Sequence, residues 1–181
     1  METIGLVEFS SIAAGIEAVD QMVKESEVRL ITARTSCSGK YIGLVTGDVA
    51  AVRSSVEKGI ASARGHYIDS FIIPNVDKQV IPAVAGAVEM PKLNALGIIE
   101  TFSLASALEA ADAAVKSALV TLIEVRLGTG IGGKGFVTLA GDTAAVRAAV
   151  GVGSEKASER GLLVATSVIA APYKEVLENL V

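Results

Sequence analysis

The chain repeats itself, and the repeat limits every fold it could take. I-G-L-V-E-F-S-S-I-A-A-G-I-E-A-V-D-Q-M-V-K begins at Ile4, and L-G-I-I-E-T-F-S-L-A-S-A-L-E-A-A-D-A-A-V-K begins at Leu96, 92 positions later. Identical pairs include Gly5 and Gly97, Glu8 and Glu100, Glu17 and Glu109, Asp20 and Asp112, and Lys24 and Lys116. Further on, G-D-V-A-A-V-R from Gly47 matches G-D-T-A-A-V-R from Gly141 at an offset of 94, so the second copy gains two residues between Arg126 and Lys134. Units of about 90 residues are domains, not solenoid repeats. The junction falls in A-G-A-V-E-M-P-K-L-N-A, where Met90-Pro91 and the polar residues after it suit an exposed connection. The expected domains are therefore 1–88 and 89–181.

Each unit reads as strand, helix, strand, strand, helix, strand. Residues 3–9 form a short apolar run, and Ser10 and Ser11 can cap the helix that follows. Ile12, Ile16, Val19 and Val23 have helical spacing, as do Leu104, Leu108, Ala111 and Val115. Val28–Ala33 and Tyr41–Thr46 read as strands, matched by Val120–Leu127 and Phe136–Ala140. Asp48 and Asp142 stand where a helix N-cap belongs, and Val49, Val52, Val56 and Ile60 give the second helix an apolar stripe. A last strand, Tyr67–Ile73 or Leu162–Ile169, precedes a short terminal helix. The two middle strands are too closely joined to be parallel, so the class is α+β with an antiparallel pair.

Composition narrows the setting. The chain is 51% hydrophobic yet only 4% aromatic, with no Trp, so it is expected to bury surface against copies of itself. No apolar run approaches the roughly 18 residues of a membrane span. The start, M-E-T-I-G-L-V-E, lacks the basic-then-apolar order of a signal peptide. A net charge of -4 argues against a broad nucleic-acid surface, and a single cysteine excludes a disulfide framework and fits a reducing compartment.

The local motifs are weaker than the repeat. Gly128–Gly135, G-T-G-I-G-G-K-G, contains two nucleotide-loop patterns. Both patterns require a following helix, whereas F-V-T-L-A reads as a strand, and Gly135 stands where a Mg²⁺-binding Ser or Thr would be needed. The matching loop of the first unit, T-S-C-S-G-K, has neither pattern. His66 is the sole histidine and reads as a surface loop residue. Glu8, Glu100, Asp20 and Asp112 recur because the domain recurs, and capping or interface roles suit them better than acid–base catalysis. Lys24 and Lys116 end helices, where a positive charge is favourable. Nothing assembles a nucleophile, base and oxyanion site, so no enzymatic activity is expected.

Together, the repeated G-x-[VI]-E, the A-x-D-x-x-V-K helix end, the glycine-containing loop and G-D-x-A-A-V-R resemble the bacterial microcompartment shell-protein domain. Two copies in one chain resemble the family's tandem-domain, trimer-forming class, and the match covers essentially the whole chain. T-x-C-x-G-K at Thr35–Lys40, G-I-G-G-K at Gly130–Lys134 and G-L-L-V-x-x-S-V-I at Gly161–Ile169 are most similar to its propanediol-utilization T-type branch, which includes an iron–sulfur protein. The resemblance implies two tandem domains, each a mainly antiparallel sheet with helices, in a homotrimer shaped as a pseudohexagonal disc. Such discs tile edge to edge with other shell proteins around enzymes, some of them redox enzymes, in a cytoplasmic compartment, with no nucleic acid or membrane as partner. It places Thr35, Ser36, Cys37, Ser38, Gly39 and Lys40, with Gly128, Thr129, Gly130, Ile131, Gly132, Gly133 and Lys134, in loops at the central axis, and Lys24 and Lys116 at the tile edge. The family's arginine after the last strand is missing from I-I-P-N-V-D-K and V-I-A-A-P-Y-K, which leaves Lys78 or Lys174 to serve that edge.

Cys37 takes its meaning from that symmetry. One thiol cannot enclose a metal, but three copies on an axis could. Soft thiolates select iron–sulfur clusters, zinc or copper(I), and three cysteines can hold three irons of a cubane, leaving the fourth to another ligand or solvent. The resemblance implies a 4Fe-4S cluster, one per trimer, with one Cys37 from each chain, serving electron transfer across the shell or cluster exchange. The alternatives are an unligated pore-lining thiol in a passive tile with a metabolite pore, and a soluble trimeric ligand sensor.

Overall fold

The computed structural model describes residues 2–88, 94–128 and 130–177. The expected junction at Met90-Pro91 and the loop residue Thr129 lie outside the described residues. The chain divides into two compact units, Met1–Lys78 with Gly128–Gly133, and Gln79–Leu127 with Lys134–Val181.

In the first unit, β1 (Thr3–Phe9), α1 (Ile12–Glu25), β2 (Arg29–Ser36), β3 (Lys40–Gly47), α2 (Val49–Ser62) and β4 (Tyr67–Ile73) build one sheet in the order β2-β3-β1-β4. Every pairing is antiparallel. Both helices pack on the sheet and on each other, and Val7, Phe9, Val19, Met22, Tyr41, Val45, Val52 and Val56 lie in the core between them. Ser55 Oγ donates to the Met22 carbonyl at 2.9 Å, tying α2 to α1.

The second unit holds α3 (Val80–Ala85), β5 (Ala95–Thr101), α4 (Leu104–Ser117), β6 (Val120–Leu127), β7 (Gly135–Gly141), α5 (Thr143–Ser158), β8 (Leu163–Ala170) and α6 (Lys174–Leu177). Its sheet order is β6-β7-β5-β8, again antiparallel throughout, with the strand order of the first unit. Even the irregularities repeat. A register shift falls between Leu30 and Thr32 in β2, and another between Leu122 and Glu124 in β6.

The expected α+β repeat is thus the observed architecture, and three details differ. On α1 the buried residues are Gly15, Ala18, Val19 and Met22, while Ile12, Ile16 and Val23 are exposed. Small residues let the helix settle on the sheet: a Cβ on Gly15 would lie 2.7 Å from Tyr41 Cβ, so that side is the one pressed inward. The expected stripe holds on α4, where Leu104, Leu108, Ala111 and Val115 are all buried. On α2, Val49 is exposed and only Val52 and Val56 of its stripe are fully buried. Asp48 and Asp142 occupy N-cap positions without a side-chain cap bond, and Asp142 instead accepts from Asn94 Nδ2 at 2.7 Å. Ser11 and Ser103, by contrast, do cap, accepting from the Ala14 and Ser106 N–H groups.

Candidate functional site

The hairpin between β2 and β3 is shorter than the sequence suggested. Thr35 and Ser36 complete β2 and Lys40 opens β3, with Ser36 paired to Lys40 across the ladder. Only Cys37, Ser38 and Gly39 remain, in a single 3-10 turn. Ser38 and Gly39 both take positive φ, 61° and 74°, so the turn reverses the chain within three residues and leaves Cys37 half-exposed at its tip.

The glycine-rich segment after β6 encloses this turn. Gly128–Gly133 counts with the first unit, although it interrupts the second in sequence. The Gly128 carbonyl accepts from the Cys37 N–H and from Ser36 Oγ, both at 2.8 Å. In the other direction, the Ile131 N–H points at Cys37 Sγ, 3.3 Å away. Gly130, Gly132 and Gly133 all have positive φ, which curls successive N–H groups toward one side. The N–H groups of Gly133 and Ile131 hold the pKa of the Cys37 thiol below its ordinary value; burial opposes them, and the N–H groups of Gly130 and Gly132 add smaller contributions that lower it further. The glycines thus form a cradle for a thiolate. They do not form a phosphate loop: the element after them is strand β7, as F-V-T-L-A suggested.

Both hairpins are clamped at the base by the same ion pair. Lys40 Nζ meets Glu8 Oε1 at 3.0 Å, and Lys134 meets Glu100. Glu8 is only 12% exposed, which places the pair against the sheet. Lys40 and Lys134, expected among the loop residues, therefore act as struts beneath the tips. The sequence offered the signal in the recurrence of Glu8 with Glu100, but not the partners. Beside the second clamp, Arg126 Nε donates to Glu124 Oε1 at 2.6 Å and its guanidinium lies 5.1 Å from the Phe136 ring centroid.

The edge candidates sit elsewhere. Lys24 and Lys116 end α1 and α4, each held at 2.6 Å by the aspartate one turn earlier, Asp20 or Asp112. Lys24 stays well exposed, whereas Asp112 is nearly covered. Lys78 and Lys174 are exposed. His66 is also exposed and lies 3.2 Å from Ser10 Oγ through Nδ1, fitting a surface loop residue. Among the described residues of the single chain, no three His, Cys, Asp or Glu side chains converge on a metal position. No helix among them is long and apolar enough to cross a membrane.

Residues 3–76 and 95–172 each match the model of the BMC domain. The chain belongs to the BMC-domain family. Its two BMC repeats coincide with the two sheets. Along nearly its whole length (99% of this chain, 98% of the other) it is 42% identical to the bacterial microcompartment shell protein PduT of Citrobacter freundii. The bacterial microcompartment shell protein EutM of Salmonella typhimurium is 40% identical over 76 residues, which cover 41% of this chain and 79% of its own length. Among solved structures, a microcompartments protein from Desulfitobacterium hafniense superposes with a TM-score of 0.96 at 52% identity, covering 98% of this chain and 99% of the other.

Proposed function

We propose that this BMC protein is a non-enzymatic tile of a bacterial microcompartment shell in the bacterial cytoplasm, assembled as a homotrimer whose axis gathers three copies of Cys37 around an iron–sulfur cluster. The relatives named as shell proteins support the structural role. The observation that carries the redox part is the ring of backbone N–H groups at Cys37 Sγ. Such a cradle favours thiolate over thiol, and a thiolate is what binds iron. One chain offers one soft ligand, so the residues fit a cluster only when three chains contribute. When bound, the cluster would supply one-electron transfer across the tile. The N–H groups of residues 130–133 would then donate to sulfur and tune the potential, while Ser36 and Gly128 hold the turn in place.

Neighbouring tiles and enclosed redox enzymes are the expected partners, with Lys24 and Lys116 at the tile edge. Native mass measurement under anaerobic conditions, with iron and sulfide analysis, tests the assembly and the cluster together. The expected result is a trimer carrying one cluster, which Cys37→Ser loses without losing the trimer. Iron-free trimers after reconstitution, with Cys37 reduced, would leave a passive tile. Sheets seen by electron microscopy would separate either tile from a soluble sensor.

A further inference from the structure

In the first unit, α2 and β4 leave a groove of about 450 Å³ between them. Val56 and Phe71, both buried, form its floor, and Val49, Ile60 and Ile72 stand around them. Two charges rise at its mouth: Arg53 and Glu57, one turn apart on α2 and both exposed. Opposite charges at this spacing commonly pair along a helix. Here neither charged head makes an ion pair or a hydrogen bond with any described residue.

The internal repeat shows what the fold itself requires at these places. Arg147 and Val150 hold the positions of Arg53 and Val56 on α5. Thr143, Ser154 and Ser167 stand where the first unit has Val49, Ile60 and Phe71, and Gly151 stands for Glu57. A Cβ on Gly151 would meet nothing within 4 Å, so the place of the carboxylate is empty there. Both sheets nonetheless have the same strand order. The unit folds without the apolar lining and without the acid, so folding does not account for their presence beside α2.

The lining and the charges together select an occupant. An apolar groove of this volume takes the body of one small hydrocarbon or aromatic molecule. A guanidinium grips a carboxylate, and a carboxylate accepts from an ammonium. A molecule with only an acid would face Glu57, and one with only an amine would face Arg53, so each alone meets a like charge. Both charges are satisfied when one small molecule carries both, close together. We propose that this groove binds the zwitterion of an apolar α-amino acid. Its carboxylate lies on Arg53, its ammonium on Glu57, and its side chain against Val56 and Phe71. The site lies wholly within the first unit and draws on neither the Cys37 turn nor contacts between chains.

The test follows methyl NMR signals of the full chain, labelled at isoleucine and valine, during titration with three probes. These are L-leucine, isocaproate, which lacks the amine, and isoamylamine, which lacks the carboxylate. Leucine at millimolar concentration should shift Val49, Val56, Ile60 and Ile72 and leave Val150 and Val168 in place. Each analogue should bind about two- to fivefold more weakly, the range that one exposed ion pair supplies. Arg53→Met should weaken leucine by the same factor without weakening isoamylamine, and Glu57→Gln should weaken leucine without weakening isocaproate. Ile60→Ser, which copies the second unit, should weaken all three probes. Leucine that shifts none of the groove methyls, or shifts both units alike, would overturn the site. Isocaproate binding as tightly as leucine, or charge variants that leave leucine unchanged, would overturn the zwitterion.

Discussion

Gln79, just before α3, acts as a strand substitute on the outer edge of β6, and replacing it should reveal how much that contributes. Gln79→Ala removes two hydrogen bonds from β6, the 3.0 Å bond to the Leu122 N–H and the 3.3 Å bond to the Val120 carbonyl. At about 1 kcal/mol net for each such bond, the loss is about 2 kcal/mol, which corresponds to a fall in Tm of about 4–8 °C for a chain of this size. Gln79→Glu is the more searching change. A carboxylate still accepts the Leu122 N–H, but it has no proton for the Val120 carbonyl and sets oxygen against oxygen there. The cost at neutral pH is therefore at least the one bond, about 1 kcal/mol. Protonation restores the donor, so the folded state raises the pKa of the introduced carboxyl above its unfolded value of about 4.3. Stability is then intact below the unfolded pKa and is lost as pH rises through the folded one. Far-UV circular dichroism during urea unfolding, at one protein concentration and at about pH 4 and pH 7.5, measures both, each variant being compared with the wild type at the same pH. If Gln79→Ala matches the wild type, or Gln79→Glu shows the same deficit at both pH values, the strand substitute contributes nothing and the reasoning fails.

Other expectations concern the core, the loop and its base. Gly151→Ala and Gly153→Ala lie two residues apart on α5 and should act in opposite directions. A Cβ on Gly151 meets nothing within 4 Å, so it should stabilise by about 0.5–1 kcal/mol in urea titrations through helix propensity. A Cβ on Gly153 would lie 2.5 Å from Ile99 Cδ1 and 2.9 Å from the Ala110 carbonyl oxygen on α4, so overpacking of about 1–3 kcal/mol should outweigh that gain. The Cys37 thiol should alkylate with a pH midpoint below that of the same protein in urea, since the N–H groups of Gly133 and Ile131 favour its thiolate. Its folded pKa being lowered, the stability it adds is present above the unfolded pKa and fades as pH falls through the folded one. A double-mutant cycle of Glu8→Gln with Lys40→Met should give a coupling of about 1 kcal/mol, reduced by salt because Lys40 is about one-third exposed.

The internal repeat made most of the fold legible before any coordinates. Local spacing located each strand and helix, because hydrophobic period and capping are properties of neighbouring residues. Ser11 caps as read, and its counterpart Ser103 caps in the second unit. The failures were of another kind. Ile12 and Ile16 have helical spacing, yet the sheet takes the Gly15 side of α1 because small residues allow the closer approach. Asp48 has the right type for a cap and makes no cap bond, a matter of side-chain geometry that residue type alone does not dictate. Glu8 was visible as a recurring acid, but its partner Lys40 lies 32 residues away and was read as part of a loop.

The sequence by itself determined that there are two copies of one α+β unit, and it singled out Cys37, because identities at a constant offset and the count of a residue type need no third dimension. Only the tertiary structure decided what surrounds that thiol and which unit α3 serves. The N–H group pointing at Cys37 Sγ comes from Ile131, 94 positions away, and α3 follows the first repeat in the chain but packs on the edge of the second. Periodicity reports which way a side chain faces within its own element. It carries no record of which distant backbone comes to meet it, since that is chosen by the packing of all the elements at once.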